Sequence, residues 1–190
     1  MSSFASHAPT LIQPGNSLLR RGIAAVIGSL ALWLSAKIQV PFFPVPMTMQ
    51  TLVVLGLAMA AGRRLALSTF GLYLVEGALG LPVFADGAGL AYMAGPTGGY
   101  LFGMFVASGI LGHLGEKRWD RSPLGTVMAM AIGTIAIYAF GLARLGTFVG
   151  YDQALIEAGL LPFVPGDIFK IALAALLLPG AWRLFTTLRG

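Results

Sequence analysis

Two ionisable residues of opposite sign, Asp167 and Lys170, stand three positions apart in PGDIFKIALAALLLPGAWR, where a Pro165-Gly166 break leads into a long apolar run. That spacing puts both on one face of a helix. An acid suits a helix N-terminus, where free backbone N–H groups and the dipole favour negative charge. Asp167 is accordingly expected to cap the last helix. A lysine does not suit that place, because it meets the positive end of the dipole at a cost of about 0.3 kcal/mol or more. Two readings account for it. Lys170 pairs with Asp167 or extends to the headgroups, or the two hold a ligand. In the second reading Lys170 and the helix N–H groups face an anionic or carbonyl group, and Asp167 accepts N–H donors.

Other polar residues at the edges of apolar runs are few. Gln50 and Thr51 open one run, and Thr97 and Tyr100 open another. Thr48, Asp86 and Tyr92 lie in or beside the connecting segments. With Met47 and the aromatics Phe42, Phe43 and Phe84 they describe a small, mostly apolar pocket with a few orienting polar groups. The candidate substrate-binding residues are therefore Asp167, Lys170, Gln50, Phe84, Tyr100, Met47, Thr48 and Asp86. Glu76 is assigned a structural role. No P-loop, zinc-protease or nucleophile-elbow motif occurs, so no catalytic residue is assigned and an enzyme is disfavoured. The chain has no cysteine, and His7 and His113 are too far apart in sequence to match a metal-ligand spacing. No metal and no cofactor are expected.

The elements that carry these residues belong to a membrane. Of the 190 residues 57% are hydrophobic and only 10% charged, with a mean hydropathy of +0.84. Soluble domains run at about 25% charged, and a soluble chain of this size lacks the polar surface to cover so much apolar matter. The runs are unbroken and rich in Ala, Leu and Gly, which favours helices over the alternating strands of a barrel. An all-α membrane protein with six spans follows, at about 19–36, 48–61, 65–79, 97–115, 123–144 and 167–186. Residues 1–17 read as a loose cytoplasmic tail before a single transmembrane domain over 18–190. The tail is polar and carries no cleavable signal pattern.

Charge orients the spans. With six crossings, nine basic residues (Arg20, Arg21, Arg63, Arg64, Lys117, Arg118, Arg121, Arg183 and Arg189) fall on one side. Only Lys37, Arg144 and Lys170 fall on the other. The positive-inside rule then places both termini in the cytoplasm. The formal charge of +5 thus reflects topology, and no nucleic-acid partner is expected. Local signals mark the ends: Ser122-Pro123 as cap and first helical residue, Gly62 as a stop, and Asp152 as the cap of a short interfacial helix. The segments 38–51 and 80–100 are apolar and rich in Pro or Gly, and they read as walls or lids over the site. Gly109, Gly112 and Gly115 allow close helix packing, as do Ala24, Ala25, Gly28 and Ser29 in the first span.

Four segments in order carry a more specific resemblance: VPFFPVPMTMQT (40–51), GLPVFA (80–85), GPTGGY (95–100) and PGDIFK (165–170). Together they resemble the signatures of the BioY family, the biotin-specific substrate-binding S-components of energy-coupling-factor transporters. The resemblance implies a six-helix S-component of the cytoplasmic (inner) membrane that binds biotin near its external face. It also implies association with a transmembrane coupling protein (the T component) and two ABC ATPases, which would use the ATP. In the family the Asp-x-x-Lys pair belongs to the biotin site, matched here by Asp167 and Lys170. Small residues of the first helix meet the coupling protein, which makes Ala24 and Gly28 the partner-binding candidates. An S-component for another vitamin, an intramembrane enzyme using Asp167 and a small channel are the competing readings.

Overall fold

The computed structural model describes residues 10–187 except Asn16 and Phe42. Its elements are α1 (Leu18–Lys37), β1 (Gln39–Val40), β2 (Met47–Thr48), α2 (Gln50–Ala61), α3 (Arg63–Ala78), α4 (Gly89–Ala94), α5 (Gly98–Glu116), α6 (Pro123–Val149), α7 (Gln153–Gly159) and α8 (Val164–Thr187). A single 3-10 turn, Trp119–Arg121, joins α5 to α6. By length and composition α1, α5, α6 and α8 can each cross a membrane. Helix α2 has 12 residues and α3 has 16. At 1.5 Å per residue they reach only about 18 and 24 Å, short of the roughly 30 Å hydrocarbon core.

Helix ends follow local chemistry. The Ser122 side chain accepts the Gly125 N–H at 3.1 Å, with Pro123 next in line. Asp152 accepts the Ala154 N–H at 3.0 Å and starts α7. Gly62 closes α2 at φ 77°, a conformation glycine adopts without strain, and its N–H reaches Ala58 O.

Glycines set the helix spacing, since lipid supplies no hydrophobic drive and association relies on close contact. A methyl group on Gly103 of α5 would lie 2.8 Å from Ile137 Cα of α6. On Gly112 it would lie 2.5 Å from Arg63 Cα of α3, and on Gly115 2.1 Å from Met59 O of α2. Helix α5 thereby sits at the centre, against α2, α3 and α6. Leu55, Met59, Phe70, Leu111 and Met130 fill the space between them. Isoleucines and leucines such as Ile27, Ile135 and Leu176 cover the exposed outside.

Several expectations change. Segment 38–49 is a small antiparallel hairpin, with Gln39 opposite Thr48 and Val40 opposite Met47. Segment 80–100 contains α4. Helix α8 begins at Val164, and the Asp167 N–H already bonds Phe163 O at 2.9 Å. Asp167 therefore lies within the helix and does not cap it. Part of the segment expected to be a loose tail is bound: Ile12 N–H donates to Ala60 O at 2.9 Å, and Arg21 Nε to Gly15 O at 3.1 Å. Residues 1–9 and 16 fall outside the described residues.

The small-residue stripe of α1 also packs within the chain. Gly28, expected to face a partner, is buried, and a methyl there would lie 2.6 Å from Thr69 Cγ2 of α3 and 3.2 Å from Leu57 of α2. Ala24 is half-buried beside it. Ser29 donates to Glu76, so that carboxylate joins α1 to α3.

At the opposite end from the hairpin, Asp120 is fully buried in the 3-10 turn. The Trp182 indole N–H donates to it, and the Arg121 guanidinium lies 4.0 Å over the Trp182 ring. Burial raises the Asp120 carboxyl above the usual carboxylate range, partly offset by the Trp182 hydrogen bond.

Candidate substrate site

The start of α8 projects Asp167 and Lys170 inward, and both are buried, at 9% and 4% exposure. Lys170 Nζ donates to Asp167 Oδ1 at 3.2 Å and to Thr51 Oγ1 in the first turn of α2 at 2.9 Å. Tyr138 of α6 donates its hydroxyl to Asp167 Oδ2. Three helices thus meet at one ion pair. The pair compensates its own charge, as a buried ion pair must. Spare capacity remains: the ammonium has three N–H groups, two of them engaged here, and the carboxylate has unfilled lone pairs.

These side chains face a cavity walled by α2, α5, α6, α8 and residues of the segments 45–48 and 85–97. Counting its open mouth, the space between these groups is about 620 Å³. Val45, Pro46 and Thr48 of the hairpin, Ala85, Tyr92 and Thr97 of the next connection, and Phe163 close its sides. Leu101, Met104 and Ile137 make the rest of the wall apolar. Tyr100 bonds Gly159 O at 2.8 Å and meets Tyr138 edge-on at 6.4 Å.

The residues singled out in sequence divide in two. Asp167, Lys170, Gln50, Tyr100 and Thr48 line the cavity. Phe84, Met47 and Asp86 stand behind it. Phe84 is fully buried, seated on Gly77 and stacked on Tyr92 at 5.1 Å, so it backs a lining residue. Met47 Sδ packs over Gly166 at the start of α8. Asp86 accepts Gln39 Nε2 at 2.8 Å and ties the hairpin to the connection between α3 and α4. Tyr138 and Thr134 of α6 are lining residues absent from the sequence-based set. The available signal for Tyr138 is a lone phenol in an otherwise apolar span, a group that must find a partner when buried.

The chain matches the model of the BioY family over residues 8–187. It belongs to that family. Among BioY relatives, the biotin transporter BioY of Thermotoga maritima is 35% identical over 161 residues, covering 84% of this chain and 92% of that protein. The biotin transporter BioY of Rhizobium etli is 36% identical over 162 residues, covering 81% and 86%. In fold the chain is similar to the crystal structure of the S-component for biotin from an ECF-type ABC transporter, with a TM-score of 0.75. That match covers 89% of this chain and 95% of the other at 19% identity.

Proposed function

We propose that this BioY protein binds biotin as the substrate-specificity subunit of an ECF-type ABC transporter in the cytoplasmic (inner) membrane. Helices α1, α2, α3, α5, α6 and α8 make six crossings with both termini in the cytoplasm. A transmembrane T component and two ABC ATPases supply the driving force. The observation that carries the reading is the buried Asp167–Lys170 pair facing a cavity whose other described lining residues are uncharged, in a chain whose relatives are named biotin transporters. Biotin offers the complementary chemistry. Its ureido ring has two N–H donors and one carbonyl, and its thiolane ring is apolar. Asp167 accepts the ureido N–H bonds, the spare N–H of Lys170 meets the ureido oxygen, and the apolar wall takes the thiolane. Titration of the detergent-purified chain with biotin, thiamine and riboflavin tests this. Saturable binding of biotin alone is expected; binding of another vitamin in its place overturns the reading.

A further inference from the structure

The polar groups around the cavity sort by charge. Asp167 and Lys170 are the only charged residues lining it among the described residues, and they face each other at 3.2 Å. The other two cations of the outer half are committed to backbone. Lys37 Nζ donates to Phe84 O at 2.6 Å and Ala85 O at 3.2 Å. Arg144 donates to Ala94 O and lies over the Phe148 ring. Two uncharged groups show the opposite condition. Gln50 Nε2 and Tyr92 Oη are buried in the lining without a hydrogen-bond partner among the described residues. Gln50 as a whole is only 3% exposed. Tyr73 lies near Gln50, and Thr97 and the Asp86 backbone lie near Tyr92, yet none of them completes a bond of good geometry. An unmade buried hydrogen bond costs about 1–3 kcal/mol, and two such donors in one wall mark the place of an acceptor.

We propose, resting on the biotin reading above, that Gln50 and Tyr92 hold the acid end of the ligand and that no cation does. The site then recognises the valerate terminus as a hydrogen-bond acceptor and not as a charge. A carboxylate forms stronger hydrogen bonds there than an amide, but it loses more hydration on entry, and the two effects offset. The ligand class widens accordingly to biotin and its carboxyl-modified neutral derivatives that keep a carbonyl oxygen.

The probe is biotinamide, nearly isosteric with biotin and uncharged at its terminus. It is titrated against the detergent-purified full chain in parallel with biotin. The expected dissociation constant lies within tenfold of that for biotin. A loss greater than tenfold, with biotin still bound, overturns the inference and leaves the biotin reading standing. Failure of biotin itself to bind overturns that reading and the inference with it. Tyr92→Phe keeps the ring stacked on Phe84 and removes only the hydroxyl. It is expected to weaken both ligands by the same factor, roughly threefold to tenfold for one hydrogen bond. Unchanged affinity for both ligands removes Tyr92 from the assignment.

Discussion

Asp167 accepts from two directions, Lys170 on one oxygen and Tyr138 on the other, and that geometry fixes where its free lone pairs point. Removing one member of a buried pair leaves the other uncompensated, typically at about 3–5 kcal/mol. Lys170→Ala is therefore expected to lower both thermal stability and biotin affinity. Asp167→Asn keeps the shape and is expected to cost biotin affinity by orders of magnitude, since a site built around polar pairing rejects a mismatch strongly. Tyr138→Phe removes one hydrogen bond, and calorimetric titration should show a loss of about tenfold, from roughly 1–1.5 kcal/mol. Asp167 and Lys170 were legible in sequence because charge at the mouth of an apolar run is anomalous. Tyr138 was not, because a single phenol in the middle of a span looks like packing until its partner from α8 is seen. Phe84 and Asp86 carried the right composition but the wrong depth: sequence spacing does not say which side of a loop faces inward.

At the scale of elements, the caps were readable because Ser122, Asp152 and Gly62 each answer a local backbone need. The start of α8 was not. Pro165 and Gly166 look like a break, yet proline without an N–H is tolerated in a first turn, so the helix runs through them from Val164. The hairpin over 38–49 escaped notice because its strands are two residues each, too short for any alternation to show. Packing between helices yields a sharper test. Gly115→Ala would drive a methyl into Met59 O at 2.1 Å, and such overpacking is expected to destabilise by about 1–3 kcal/mol. Gly22→Ala meets nothing within 4 Å and should be neutral or slightly stabilising in detergent melting curves. The Asp120–Trp182 contact adds a pH signature. A carboxyl whose folded pKa is raised contributes stability fully at low pH and loses it as pH rises through that value. Asp120→Asn retains an acceptor for Trp182 and removes the charge. It is expected to melt above the parent protein at alkaline pH, with the difference shrinking as pH falls through the raised Asp120 pKa.

For the whole molecule, membrane residence was readable from bulk composition, and family membership from four short segments in order. The internal use of Gly28 was not, because a small-residue stripe looks the same whether its neighbour is this chain or another. The proposed topology can be checked directly, since the chain has no native cysteine. Phe43, 95% exposed at the hairpin tip, is expected to react as Phe43→Cys with a membrane-impermeant maleimide on intact cells. Exposed Lys117, after α5, should react as Lys117→Cys only after lysis. The central claim concerns what occupies the cavity. Mass spectrometry of the protein purified from biotin-containing medium measures that without added ligand. The account predicts close to one biotin per chain in the parent protein and almost none in Asp167→Asn. A parent protein that emerges without biotin and takes none up on incubation, or an Asp167→Asn chain loaded as fully as the parent, would contradict it.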